Sequence, residues 1–138
     1  MIERFTRDRI LVYLKKNKDY GDSFVSSISS LGKTAGLVRI LDKVNRLKSL
    51  MTSTNEVSES LEDTVLDLFN YVVMFKCAIE GNNSLSNIVD ETMLLAEDHK
   101  FFAQEVNELF EDKEELKFSE EECKQVNELL FSNLVSLL

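Results

Sequence analysis

The run SLEDTVLDLFNYVVMFKCAIEG, from Ser60 to Gly81, constrains the fold more than any other stretch. Leu61, Val65, Leu68, Val72, Phe75 and Ile79 recur in it at helical spacing, and Leu66, Phe69, Val73 and Cys77 carry the apolar surface most of the way round. A helix that is apolar on nearly all sides has to be wrapped by other elements, so this segment predicts a central, buried helix. Proline is absent from the 138 residues and glycine occurs only four times, which leaves little turn chemistry for a sheet. The expected class is all-α, a bundle of about four to six helices in one domain.

Around that helix the pattern is uneven. Ile10, Leu11, Tyr13 and Leu14 predict an amphipathic helix from Phe5 to about Lys18, with lysines suited to its carboxyl end and Gly21 closing it. The serine-rich DSFVSSISSLGKTAG that follows reads as a loop, with at most a short helical turn from Phe24 to Leu31. From Leu37 to Met51 apolar residues again recur at helical spacing, and Arg39, Asp42, Lys43 and Arg46 share the opposite face. MTSTNEVSES reads as a loop, with Ser58 or Ser60 as N-cap of the central helix and Gly81 as its stop. Ser86 to Phe110 predicts a long acidic helix broken near His99. Ser119 and Glu122 predict a capping box for a last helix whose apolar end, FSNLVSLL, must pack on the domain or on a second chain. This divides the chain into a core, 1–82, and an acidic extension, 83–138.

Charge follows the same division. Residues 1–54 hold 11 Lys/Arg against 5 Asp/Glu, net +6, whereas residues 55–138 hold 5 against 20, net −15. The basic part can attract phosphate, but the acidic remainder would repel a long polyanion, which argues against extended nucleic acid as a partner. Complementary charge within or between subunits explains the asymmetry equally well. No apolar run approaches the roughly 20 residues that span a bilayer, so no membrane partner is expected. Two cysteines, Cys77 and Cys123, are too few for a disulfide framework and suit a reducing cytoplasm.

The residues that invite chemistry lie on the two core helices. Asp63, Asp67 and Asn70 stand at i, i+4 and i+7 and line one strip of the otherwise apolar helix. With Asp42 they offer hard oxygen ligands for Mg²⁺, which keeps waters and substrate phosphates in its shell and so needs few protein carboxylates. Lys18, Arg39, Lys43 and Arg46 would meet the remaining phosphate charge, and Tyr20 or Phe24 could stack on a base. Plainer readings exist for each. Asp63 can belong to a capping pair with Ser60; Asp42 can pair with Arg46 or Arg39 on its own helix; Asp67 can pair with a cation from another helix. His99 has no nucleophile or cysteine near it in sequence, which argues against a catalytic triad or a zinc site.

Three separated motifs then point to a family. KNKDYGDSF, VRILDKVNRLKSL and SLEDTVLDLFNYVVM, in that order, resemble nucleotide modification associated domain type 1, over about Phe5 to Gly81. That family is in turn similar to the all-α nucleoside triphosphate pyrophosphohydrolases, the MazG-like enzymes and dimeric dUTPases. The resemblance implies Mg²⁺ held by acids on two helices, with a metal-activated water attacking phosphorus to release pyrophosphate. It places Asp63 and Asp67 at the second helix's metal positions. The first helix departs from the pattern, since Arg39, Asp42 and Lys43 stand where two acids three residues apart are expected.

The leading expectation is therefore a Mg²⁺-dependent nucleoside or deoxynucleoside triphosphate pyrophosphohydrolase, with Asp42, Asp63 and Asp67 as catalytic and metal residues. Lys18, Tyr20, Arg39, Lys43, Arg46 and Asn70 are the expected substrate contacts. A non-catalytic nucleotide-binding protein and a helical interaction scaffold are the alternatives. Apolar helix faces left uncovered by one chain suggest a homo-oligomer, a dimer or tetramer.

Overall fold

The computed structural model describes residues 5–16, 18–52 and 58–138, with the side chains of 18–22 and 58–59 outside the description. Among the described residues there are seven α-helices and no strand: α1 Arg7–Lys16, α2 Lys18–Leu31, α3 Lys33–Met51, α4 Ser58–Glu80, α5 Leu85–Glu97, α6 Phe102–Glu108 and α7 Glu120–Leu137. Short 3₁₀ turns lie at His99–Phe101 and Glu114–Leu116. The class is all-α, as the sequence predicts, with one helix more than the expected range.

That extra helix is α2. The serine-rich stretch expected to be a loop is helical up to Leu31, and Gly21, expected to close the first helix, lies within α2. Two features reconcile the composition with a helix. Ser27 returns its hydroxyl to the Ser23 carbonyl one turn back, which removes it as a competitor for other backbone groups. Phe24 is fully buried, and Val25 and Ile28 pack on the core, so tertiary burial outweighs serine's weak propensity. The helix stops at Gly32, whose φ of 87° suits glycine and whose N–H reaches the Ile28 carbonyl at 2.8 Å. The chain reverses there into α3. Gly36 then permits close approach to α4, since a Cβ on it would lie 2.8 Å from Phe75 Cδ1 and 3.0 Å from Ile28 Cδ1.

α4 is the central helix, packed by α2, α3, α5 and α7. Val65, Leu68, Phe69, Val72, Val73 and Cys77 are almost completely buried along it, which is what its all-round apolar pattern requires. Its end is a Schellman turn: Gly81 has φ 71°, its N–H reaches the Ala78 carbonyl, and the Asn82 N–H reaches that of Cys77. Ser58 is the first residue of α4, so Ser60 lies inside the helix, where its carbonyl accepts the Thr64 hydroxyl.

The acidic extension packs on this core. α5 follows its predicted start closely, and the break expected near His99 is present as the 3₁₀ turn before α6. Asn127 of α7 fixes the break, accepting from the Ala103 N–H and donating to the Lys100 carbonyl and Gln104 Oε1, each within 2.9 Å. The Ser119 and Glu122 capping box forms as expected. The apolar end of α7 packs in part on the domain itself, with Leu134 and Leu138 buried and Leu137 exposed. No described helix is long and apolar enough to cross a membrane.

Candidate functional site

Asp63, Asp67 and Asn70 line one cleft of about 560 Å³, which Tyr13 and Lys16 of α1, Leu66 of α4 and Leu137 of α7 complete. The helical strip legible in the sequence is thus one wall of a real concavity. Thr6 caps the start of α1, accepting from the Arg9 N–H at 3.3 Å, and the Arg9 guanidinium donates to the Leu138 carbonyl. That second contact ties the start of α1 to the end of α7. Asp63 is exposed, Asp67 and Asn70 are half-buried, and Tyr13 is buried with its hydroxyl donating to Asn70 Oδ1 at 2.8 Å. Burial pushes the Tyr13 hydroxyl up to about 12, with a raising contribution from Asp67.

Lys43 reaches across from α3 to Asp67 Oδ2 at 3.1 Å and stands 5.9 Å from the centre of the Tyr71 ring. Asp67 thus has the cation from another helix that a carboxylate on a largely buried helix requires. Arg39, one turn earlier, is held differently. Its guanidinium donates to Ser27 Oγ at 3.1 Å and to the Tyr71 hydroxyl at 3.0 Å, and it lies over the rings of Phe24 and Tyr71, which themselves stack at 4.8 Å. It joins α2, α3 and α4 and does not line the cleft, so its geometry is that of a pin.

Two further predicted residues lie apart from the cleft wall. Asp42 and Arg46 are exposed on α3 and do not line the cleft. Lys18 and Tyr20 fall in the first turn of α2, and their side chains lie outside the described residues. Among the described residues, no group of three or more His, Cys, Asp or Glu side chains is gathered closely enough to hold a metal ion. The expected trio therefore divides: Asp63 and Asp67 share a cleft, and Asp42 does not join them. Two carboxylates still fit Mg²⁺ when phosphate oxygens and waters complete its shell, so the cleft suits a metal that arrives with a nucleotide better than one held by protein alone.

Sequence reasoning missed four lining residues. Lys16 reads as a complement to the α1 dipole and Tyr13 as core, and both assignments are satisfied without reference to a cleft. Leu66 and Leu137 carry no signal beyond hydrophobicity. The one available hint was that Tyr13 and Lys16, at i and i+3, share a face of α1.

No curated protein and no solved structure matches the chain. A family model does match it, and the match begins at the last residue of α1 and runs through α2 and α3 to near the end of α4, the helices that bear all three motifs. Residues 16–78 match the model of nucleotide modification associated domain 1, the family that those motifs resemble.

Proposed function

We propose that the cleft between α1, α4 and the end of α7 binds a nucleoside phosphate. The observation that carries this reading is the convergence in one concavity of Asp63, Asp67 and Asn70, from the third family motif, with the Lys16 ammonium and the Tyr13 ring. Lys16 offers a cation for phosphate, Asn70 offers an amide that can read a base or sugar, and Leu66 and Leu137 offer an apolar face against which a base can lie. Such a mixture of a few convergent polar groups on an apolar floor is the usual make-up of a small-molecule site.

Mg²⁺-dependent hydrolysis to a monophosphate and pyrophosphate is the second reading, favoured by the two aspartates that share the cleft. Asp63 and Asp67 would hold the metal, which would supply charge neutralisation and an activated water. Binding ranks ahead of hydrolysis because Asp42 stands apart and Asp67 is already paired with Lys43. The test is a panel of ribo- and deoxyribonucleoside triphosphates with Mg²⁺, followed by thermal shift and product analysis in the same samples. A rise in melting temperature with intact nucleotide supports binding alone. Monophosphate plus pyrophosphate establishes hydrolysis, and silence in both readouts removes both readings.

A further inference from the structure

Asp67 faces two ways. It lines the cleft with residues of α1 and α7, yet its carboxylate is also held by Lys43 of α3, a helix that contributes nothing to the cleft lining. The two side chains are 24 and 31 % exposed, so the pair is neither locked in the core nor freely solvated. Lysine is a point charge on a flexible four-carbon stem, and one ion pair at 3.1 Å with the Tyr71 ring 5.9 Å away fixes it less than two hydrogen bonds and two closer rings fix Arg39. The two neighbouring cations on α3 thus differ in kind: Arg39 is pinned, and Lys43 can change partner.

We propose that Lys43 is a tethered counter-cation that keeps a divalent metal off the Asp63 and Asp67 pair until an incoming phosphate draws it away. The proposal rests on the reading of the cleft as a nucleoside-phosphate site. A divalent ion at Asp67 would face a unit positive charge a few Å away and would have to compete for the same carboxylate. A phosphate chain in the cleft gives the ammonium a more highly charged partner and leaves Asp67 open to the metal that the same phosphate brings. Metal then follows nucleotide, and the free protein carries its own cation in the metal's place.

The direct test uses the nucleotide-free full chain and Mn²⁺, a spectroscopically visible substitute for Mg²⁺, titrated by electron paramagnetic resonance. Lys43→Met should bind Mn²⁺ about tenfold more tightly than the wild type, from lost competition and lost repulsion together. Lys33→Met, which removes the same charge at the exposed start of α3, should change nothing, and adding Asp67→Asn to Lys43→Met should erase the gain. Lys43→Gln provides a second neutral variant, with circular dichroism to verify folding. Equal Mn²⁺ affinity in wild type and both neutral Lys43 variants, or an equal gain in Lys33→Met, would overturn the proposal. Because no nucleotide is present, that result is separate from failure of the cleft reading, which would appear as an absence of nucleoside triphosphate binding with or without Mg²⁺.

Discussion

Tyr13 of α1 and Asn70 of α4 are joined by a hydrogen bond of 2.8 Å that closes one wall of the cleft. The phenol that donates it is buried and holds its proton up to about 12, against an ordinary value of 10.0. The folded state therefore binds this proton where the unfolded chain has lost it, so the stability linked to Tyr13 is complete below about pH 10 and is lost as pH rises towards 12. Tyr13→Phe should flatten the fall in melting temperature across that window. Cys77, pushed from 9.0 to about 12 chiefly by burial, contributes a loss of the same sign that begins lower, so the comparison belongs in a Cys77→Ala background. An identical alkaline slope in the two proteins would contradict the assignment.

Gly36 and Gly32 should respond to alanine for different reasons. At Gly36 the new methyl would meet Phe75 Cδ1 at 2.8 Å, and the overpacking, about 1–3 kcal/mol, should exceed the gain of about 1 kcal/mol in helix propensity. At Gly32 there is open space but a φ of 87°, so the cost is backbone strain of about 1–3 kcal/mol. Urea denaturation should show both variants destabilised. Further substitution of Phe75 by Leu should relieve Gly36→Ala and leave Gly32→Ala unrelieved.

Asn127 is the polar group whose loss should matter most to the extension. It is buried, and its amide serves Ala103, Lys100 and Gln104 at the break before α6. Asn127→Leu removes those bonds and strands the Ala103 N–H, which should cost about 2–3 kcal/mol. Hydrogen exchange should reveal the loss first in Phe102–Glu108. Unchanged protection there would argue that the break holds without the amide.

Arg39→Lys tests whether the guanidinium acts as a pin. A lysine cannot span Ser27 and the Tyr71 hydroxyl while lying flat on Phe24 and Tyr71, so stability should fall by about 1–2 kcal/mol although the charge is kept. Full stability with weakened nucleotide binding would instead make Arg39 a ligand contact.

The central helix and the polar strip on it were legible because helical periodicity is a direct readout of which faces are buried, and Asp63, Asp67 and Asn70 interrupt that readout at one angle. The capping box at Ser119 was legible for a similar reason, since its two residues signal to each other within one turn. α2 was not, because its serines and flanking glycines mimic a loop and the burial of Phe24 that overrides them depends on α3 and α4. The far wall of the cleft was hidden for the same reason. Nothing local to Lys16 or Leu137 records that the ends of α1 and α7 meet beside α4. The Lys43 to Asp67 pairing was legible only as a requirement for some cation, with the choice of partner set by helix packing.

The most direct measurement is calorimetric titration of nucleoside triphosphates into the wild type and into Lys16→Glu and Asn70→Ala. Both variants change cleft-lining side chains. The account predicts saturable binding by the wild type and at least about tenfold weaker binding by each variant, equivalent to about 1.4 kcal/mol. Wild-type binding that both variants retain in full, or no binding of any nucleotide by the wild type, would contradict it.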